Sequence, residues 1–256
     1  MLSLKLGCAF LMMCRAHFIP KSNTKLHSFR QIEHYKIEQF GLPSDENLVY
    51  FKRYISSLNY NRKIPNWVLQ YNCKEELSDR VVSKRPGFDN MFEDNWVPNK
   101  NSYDEYSRGH LVPAGDYRGS CKKDTFILET NIVPQEIQNN QGIWNILEMS
   151  VRNNLINNYD EVWVLSGPLF IPYKYGGKKY IKYEIVGDSD IAVPNSLFKT
   201  KLYKNDNEIF SDSYIIPNKN LDPKSLKEFK VHIEDIENHF KFPIFPLINR
   251  NSINKL

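Results

Sequence analysis

Apolar side chains recur at every fourth position along one stretch of the chain, which predicts its clearest helix. The spacing is kept by Ile143, Leu147, Val151 and Leu155, and it predicts an amphipathic helix over residues 142–157. Weaker patterns of the same kind predict helical structure in residues 31–60, interrupted at Gly41-Leu42-Pro43, and a final helix over residues 233–240.

Other segments alternate apolar and polar residues, or stay apolar for a few positions between turn-forming residues, as β-strands do. The predicted strands are residues 64–71, 126–133, 162–165, 181–186, 197–203 and a short one at 214–216. Residues 83–105 are rich in Pro, Asn and Asp and predict a long loop. No repeat or linker interrupts the pattern. Residues 31–256 are therefore predicted to form one α+β domain with a mixed or antiparallel sheet flanked by helices.

The composition is that of an ordinary globular protein. The chain has 256 residues, of which 41% are hydrophobic, so it can bury a sizeable core without disulfides. Its four cysteines are too few and too scattered for a disulfide scaffold or a zinc site. The whole chain carries a net charge of +4, whereas the first 32 residues alone carry +5, so the remainder is about −1. Nucleic-acid binding would therefore depend on local basic patches.

Residues 1–30 have the pattern of a targeting segment. A short apolar run, Leu6–Cys14, lies between Lys5 and Arg15, and the segment is basic and free of acids. These features, with its hydroxylated residues, predict a mitochondrial presequence. A secretory signal is the alternative, disfavoured by a poor cleavage site and by the absence of an Asn-x-Ser/Thr sequon from the chain. A third alternative is an uncleaved anchor that associates with the mitochondrial membrane.

Four polar side chains between residues 107 and 148 are candidates for chemistry: His110, Asn131, Asn140 and Glu148. His110 ends an apolar run and follows Arg108 and a glycine, and an imidazole there could take a proton from water near neutral pH. Taken alone, each of these residues has a plainer interpretation, such as a packed histidine, a turn, a helix cap or a solvated carboxylate.

The alternatives are sharpest for Asn140, which lies just before the predicted helix. It could cap that helix, or its amide oxygen could hold Mg²⁺, which prefers oxygen ligands and keeps most of its waters. Glu148 lies eight residues on, within about 80° of the same helix face. Asn131 could orient the ion or a phosphate. Together the four groups predict a site that hydrolyses a phosphodiester, with His110 activating water and the ion neutralising the developing oxyanion.

These residues carry a family resemblance. The chain resembles the DNA/RNA non-specific endonuclease family, whose fold is the ββα-metal or His-Me finger fold, and the similarity covers nearly everything from residue 36 on. The matching segments are SRGH at 107–110, TNIVPQ at 130–135, Asn140 to Glu148 with Trp144 and Leu147, VWVLSGPL at 162–169, IAVPNSLFK at 191–199 and EDIENHFKFPIF at 234–245. Ser107 stands where the family usually has aspartate. In this substitution and in the segments EQFGLP at 38–43 and IPNWVL at 64–69, the chain resembles the mitochondrial exonuclease-type relatives of endonuclease G.

The resemblance implies roles for individual residues. His110 is the general base, and Asn140 is the only direct protein ligand of Mg²⁺, for which Mn²⁺ could substitute. Glu148 acts on the ion through water, and Asn131 and Arg108 support the site and the phosphate.

The resemblance also implies a phosphate clamp, a reaction and an assembly. An upstream arginine binds the scissile phosphate, and Arg80 and Arg85 are the two candidates. The substrates are DNA and RNA, the products carry 5′-phosphate and 3′-hydroxyl ends, and the protein is a homodimer. The exonuclease-type relatives have an extra helical segment after the core, and no such segment is seen before Leu256. Either the sequence is a truncated piece or the protein is without that segment. Endonucleolytic and 5′-exonucleolytic cleavage are therefore both left open.

Two further expectations concern substrate contact and rival functions. Three groups of basic residues could form basic stripes or simply solvated faces: Lys199, Lys201 and Lys204; Arg118, Lys122 and Lys123; and Lys178, Lys179 and Lys182. One rival function is a catalytically silent nucleic-acid-binding relative, against which the intact His110, Asn140 and Glu148 argue. The other is a secreted scavenging nuclease with the same site.

Overall fold

A long antiparallel sheet forms the middle layer of the protein. The computed structural model describes residues 30–74, 85–92, 98, 101–221 and 226–255. The strands are β1 (Leu48–Tyr50), β2 (Tyr54–Asn59), β3 (Ile64–Cys73), β4 (Ser107–His110), β5 (Ile132–Gln135), β6 (Glu161–Leu169), β7 (Tyr173–Tyr175), β8 (Lys178–Tyr180), β9 (Ile185–Val186), β10 (Ile191–Ala192), β11 (Ser196–Asn205), β12 (Glu208–Pro217), β13 (Lys230–Val231) and β14 (Ile253–Lys255). The sheet order is β1-β2-β3-β6-β11-β12-β13, and β14 adds to β12 in parallel.

Helices cover the sheet and supply the site. They are α1 (Arg30–Ile37), α2 (Gly119–Asp124), α3 (Leu128–Asn131), α4 (Ile137–Asn139), α5 (Asn145–Asn158) and α6 (Ile233–Phe240). A wide π-helical turn, Asn140–Trp144, joins α4 to α5, and single 3₁₀ turns occupy Ala114–Asp116, Leu226–Phe229 and Arg250–Ser252. No helix in this part of the chain is long and apolar enough to cross a membrane.

The sheet is covered on both faces, and strand β6 shows why. Its side chains alternate between two cores: Trp163 and Leu165 pack with α1 and α6, whereas Val162 and Val164 pack with α5. Trp163 also donates its indole N–H to the Lys36 carbonyl at 2.6 Å. The layer with α5 also holds β4 and β5, which pair only with each other among the described strands. The site therefore rests on one face of the sheet.

The α+β architecture is confirmed, and the helices predicted at 142–157 and 233–240 are present. Four other predictions are wrong in part. The strand predicted at 181–186 is limited to Ile185–Val186. Residues 48–59 form β1 and β2 instead of helix, and residues 128–131 form a helical turn before strand β5. The strand predicted at 214–216 is the end of the ten-residue β12. Strand β2 and the turn are buried at nearly every position, so they lack the alternation by which a strand is told from a helix. Residues 1–29 of the predicted targeting segment lie outside the described residues.

Candidate active site

Two short strands and a helix bring the predicted site residues together. Strand β4 pairs antiparallel with β5, so that Ser107 lies opposite Gln135 and His110 opposite Ile132. The pairing is close because Gly109 has no side chain: a Cβ there would lie 2.2 Å from the Gln135 Oε1 atom and 2.7 Å from its Cβ. The glycine of the SRGH motif thus lets the two strands meet, and β5 leads directly into the helix that carries Asn140.

His110 lies in an aromatic setting that keeps its ring uncharged. The Phe126 ring meets it edge to face with centroids 4.8 Å apart, and the Phe88 ring lies at 5.7 Å. Burial, and then the nearby charge of Arg85, lower the His110 pKa to about 4, against a hydrogen bond to the Arg108 backbone that raises it. Nε2 is buried and has no hydrogen-bond partner among the described residues, so the nitrogen bonded to Arg108 is Nδ1. Nε2 therefore carries a free lone pair at neutral pH.

Asn140 opens the π-helical turn at the start of the long helix. Such wide turns are rare and are often found at functional sites. The preceding residue, Asn139, is buried and is fully used in packing: it accepts from Gln135 at 2.9 Å and donates to the Pro217 and Lys219 carbonyls. The half-buried Asn140 side chain, in contrast, makes no hydrogen bond within the described chain. It lies four residues after Glu136, the residue that caps this helix, so its amide is not that helix's N-cap.

Trp144 ties this helix to the histidine strand. Its indole N–H donates to the His110 carbonyl at 3.1 Å, and it also favours the charged form of Glu148, one turn farther on. Burial raises the Glu148 pKa nonetheless, because the positive charges of Lys199 and Arg152 offset the desolvation only in part. The helix thus presents an amide and a buried carboxylate beside the backbone of His110.

A buried lysine lies under the site. Lys199, on the central strand β11, is 1% exposed and donates to the Leu111 carbonyl at 3.0 Å and to Ser166 Oγ at 2.7 Å. Its ammonium lies 4.6 Å from the centre of the Trp144 ring. Burial lowers the pKa of Lys199 and the negative charge of Glu148 raises it. The ammonium therefore joins the sheet to the residue that follows His110.

The proposed basic stripe on β11 is wrong. Lys199 and Lys201 are buried at 1% and 0% exposure, and Lys201 pairs with Asp212 at 2.8 Å. Lys204 is half-buried and pairs with Glu161 at 3.3 Å. Both alternating faces of this strand carry large apolar residues in the sequence, which is typical of a strand covered on both sides, and that signal could have predicted the burial of the lysines.

Asn131 is buried beside the site, and its side chain bonds only to backbone groups. Its Oδ1 accepts from the Val112 N–H at 2.8 Å, and its Nδ2 donates to the Val112 and Thr125 carbonyls at 3.0 and 2.9 Å. Both amide hydrogens are therefore occupied, and none is left for a phosphate. The side chain fixes the segment that leaves His110.

The arginines differ in what the structure says of them. The Arg85 guanidinium lies 5.8 Å from the centres of the Phe88 and Phe126 rings, the same two rings that border His110. The Arg108 guanidinium lies 4.6 Å from the Phe88 ring. Arg80 lies outside the described residues. Of the two predicted phosphate clamps, Arg85 is thus seen beside the imidazole.

The sequence did not predict the place of three charged groups beside the site, although Lys199 was considered for a basic stripe. Besides Lys199, these are Asp116 and Arg152, which form a two-point ion pair with distances of 2.9 and 2.8 Å. Both influence the charge of Glu148. Arg152 lies four residues after Glu148, so it shares its helix face, and this spacing was the available signal.

The donor set fits a hard divalent cation held by few protein atoms. The described residues contain no group of three or more His, Cys, Asp or Glu that could enclose a metal. What the helix offers is the Asn140 amide, which has no internal partner, with the buried carboxylate of Glu148 on the same helix. Mg²⁺ commonly binds through one or two protein oxygens and keeps several waters, so these residues are compatible with it.

Comparison with known proteins agrees with this geometry. Human mitochondrial nuclease EXOG is 32% identical over 231 residues, which are 84% of this chain and 62% of that protein. Mitochondrial endonuclease G of Caenorhabditis elegans is 32% identical over 235 residues, covering 86% of this chain and 75% of that protein. The crystal structure of the EndoG/EndoGI complex superposes with a TM-score of 0.80 at 27% identity, covering 87% of this chain and 95% of that one.

The match with a family profile is equally extensive. The chain spans about three fifths of the length of the human, mouse and Xenopus laevis EXOG proteins that it matches. The profile of one family, described as DNA/RNA non-specific endonuclease, matches residues 33–247, which include both strands and the helix of the site. The chain belongs to the DNA/RNA non-specific endonuclease family.

Proposed function

We propose that this protein is a Mg²⁺-dependent mitochondrial nuclease that hydrolyses phosphodiester bonds of DNA and RNA, leaving 5′-phosphate and 3′-hydroxyl ends. One observation carries the proposal. His110, uncharged and with an unpartnered Nε2, lies on a strand that is hydrogen-bonded to the helix of Asn140 and Glu148. A base and the groups for a cation thus share one rigid unit.

The residues divide the work as follows. His110 Nε2 takes the proton from the water that attacks phosphorus, and its low pKa keeps that lone pair available well below pH 7. Nδ1, held by the Arg108 backbone, fixes the ring orientation. Arg85 lies where its charge can bind the scissile phosphate, and Asn131 holds the segment after His110 in place.

The helix supplies the metal site. Asn140 would hold the ion by its amide oxygen, and Glu148 would face the ion's hydration shell. Glu148 needs its charge for this, and Lys199 and Arg152 favour that charge. The bound ion would supply positive charge opposite the oxyanion that develops in the reaction. Mn²⁺ has similar ligand preferences and would serve as a substitute.

Location and assembly follow the relatives. The matching proteins of human, C. elegans and yeast are all named as mitochondrial. The basic, acid-free segment at residues 1–30 agrees with these names. The protein is therefore mitochondrial and not secreted. As in the family that the sequence resembles, we expect a homodimer.

The test uses purified protein, a supercoiled plasmid and a single-stranded RNA across a Mg²⁺ titration. The wild-type protein should cleave both, and EDTA should stop it. His110→Ala should lose at least about 100-fold in rate, the lower bound for a positioned general base, and Asn140→Ala should need more Mg²⁺ for half-maximal activity. His239→Ala and Asn238→Ala, on the exposed side of α6 in the opposite layer, are matched controls that should retain full activity.

Three results would contradict the proposal. A His110→Ala protein with a tenth of the wild-type rate would remove His110 as the base. An unchanged Mg²⁺ titration would remove Asn140 as the ligand. Nucleic-acid binding by the wild-type protein without any cleavage would leave the silent relative as the correct interpretation. Comparing circular with end-labelled linear DNA distinguishes endonucleolytic from 5′-exonucleolytic cleavage, since only the former cuts the circle.

A further inference from the structure

An exposed hairpin, which we call the Tyr/Lys hairpin, consists of strands β7 and β8 and covers residues 173–180. All eight of its residues are exposed, and its two strands pair only with each other within the described sheets. Gly176 and Gly177 form a two-residue turn, both at positive φ (55° and 75°), as a tightly twisted hairpin requires. Two strands alone are marginally stable in water, so these side chains contribute little to the core.

The hairpin concentrates positive charge in a nearly neutral domain. It carries Lys174, Lys178 and Lys179 and no acid, and Lys182 follows before the first acid, Glu184. Lys174 lies directly opposite Lys179 across the two strands. Like charges in this arrangement destabilise a strand pair, and an anion bound between them would offset that cost.

The same hairpin exposes aromatic rings. Tyr173 lies opposite Tyr180 with ring centroids 5.9 Å apart, and Tyr175 is 75% exposed. Since side chains alternate along a strand, these tyrosines lie on the face opposite Lys174 and Lys179. Six of the twelve exposed large apolar side chains in the described chain fall within residues 173–185. Rings interleaved with lysines are the elements with which proteins bind unpaired nucleic-acid strands, the rings on bases and the lysines on phosphates.

The segment that follows the hairpin is linked to the active-site unit. Tyr106 donates its hydroxyl to Glu184 Oε2 at 2.9 Å, and Tyr106 directly precedes Ser107, the first residue of β4. From Tyr106, His110 is four residues away, about 13 Å along the strand, and Glu184 lies four residues after Tyr180, the last residue of the hairpin. With the two side chains between them, the path from His110 to the hairpin is at most about 35 Å, the rise of roughly ten stacked nucleotides of one strand. A single strand of that length cleaved at His110 could therefore extend to the hairpin.

We propose that the Tyr/Lys hairpin is a second binding site for the nucleic-acid strand, which holds unpaired nucleotides within roughly ten positions of the scissile phosphate. The lysines bind phosphates, and the tyrosines stack on bases without sequence preference. This site rests on the proposed nuclease function but not on the identity of the base or the metal ligand.

The first test measures binding in the His110→Ala protein by fluorescence anisotropy, with a labelled 20-nucleotide single strand and a blunt duplex. Replacing Tyr173, Tyr175 and Tyr180 together by Ser should weaken single-strand binding at least tenfold and duplex binding less than threefold. Lys174→Gln with Lys179→Gln should reduce the slope of log affinity against log salt by about 1.4, the value for two phosphate contacts on a single strand. The matched control is Lys230→Gln with Lys241→Gln, two exposed lysines elsewhere, which should leave the slope unchanged.

The second test separates failure of the hairpin site from failure of the proposed function. With His110 intact, the hairpin variants should hydrolyse thymidine 5′-(4-nitrophenyl phosphate), which is too short to reach the hairpin, at the wild-type rate but should cleave the long strand more slowly. If the wild-type protein fails on both substrates, the proposed function is wrong. If the variants equal the wild type on the long strand and in binding, the hairpin site is wrong. If the hairpin pair Lys174 and Lys179 and the control pair Lys230 and Lys241 reduce the salt slope equally, the effect is one of net charge and the hairpin site is wrong. If the hairpin variants lose self-association but keep nucleic-acid binding, the hairpin is a contact between copies of the chain.

Discussion

At the scale of single residues, the two ring nitrogens of His110 have different tasks. Nδ1 is held by the Arg108 backbone, and Nε2 is buried without a partner in the described chain. The neighbouring Phe88 and Phe126 rings exclude water from the imidazole edge, and desolvation penalises the charged form. The sequence drew attention to His110 as a candidate base, but its low pKa depends on aromatic neighbours that are distant from it along the chain.

The lowered pKa predicts a stability effect that can be measured. In the unfolded chain His110 titrates near 6.5, whereas in the folded protein it titrates at about 4. Between these values the unfolded chain binds a proton that the folded protein does not, so the free energy of unfolding should fall as the pH decreases. The slope from this residue is at most about 1.4 kcal/mol per pH unit.

Urea unfolding of wild type and of His110→Gln between pH 7 and 4 measures this. The wild-type stability should fall more steeply with decreasing pH than that of the variant. Parallel curves would show that the histidine titrates normally in the folded protein.

At the scale of elements, the ββα unit owes its shape to close backbone contact. Gly109 allows β4 to lie against Gln135, and Gln135 is itself held by Asn139 at 2.9 Å. Asn131 fastens the next segment by both backbone groups of Val112. Each of these contacts links residues that lie beside His110 or Asn140 in the chain. Small changes in this unit should therefore disturb folding and catalysis together.

Gly109→Ala should destabilise the protein by about 1–3 kcal/mol, since its new methyl group would overlap the buried Gln135 side chain. Gly142→Ala is the matched control: it lies in the π-helical turn and its Cβ would meet nothing within 4 Å, so it should be neutral or stabilising by up to about 1 kcal/mol. Urea midpoints measure both changes. Equal midpoints for the two variants would mean that the strands are not packed as closely as the structure has them.

At the scale of the whole molecule, the sheet lies between two layers and packs against both. Its far face packs on α1 and α6, and its near face carries buried charges instead of a purely apolar core. Lys199 projects from that near face to the backbone beside His110, and its charge is balanced by Glu148 and Asp116. The sheet thereby positions the site through one ammonium group.

Lys199→Met should cost about 3–5 kcal/mol of folding stability, because Glu148 loses the larger of its two favourable charges and the Leu111 carbonyl and Ser166 lose their donor. It should also raise the Glu148 pKa further. Lys204→Met, on the same strand, should cost less than about 1 kcal/mol, since its partner Glu161 keeps its contacts with Lys36 and Tyr71. Chemical denaturation of both variants measures these losses of stability. A small loss of stability for Lys199→Met would show that ion pairing does not stabilise the buried ammonium.

The sequence by itself determined the elements with strong periodicity and supplied the candidate reactive groups. The four-residue spacing of apolar positions located the helix over 142–157. The order of His110, Asn140 and Glu148 predicted a site at the start of that helix. The helix signal is local, since a few turns of residues contain all of it.

Only the tertiary structure decided which surfaces are covered. Periodicity reports how many faces of an element are apolar, but not which atoms lie against a polar side chain. Lys199 and the lysines of the Tyr/Lys hairpin therefore look alike in the sequence, although one is buried under the site and the others project into solvent. Residues 128–131 were misassigned because they are buried at every position, so the sequence lacks the alternation by which a strand is told from a helix. Burial and pKa depend on these long-range contacts, which form only when the sheet and the ββα unit pack together.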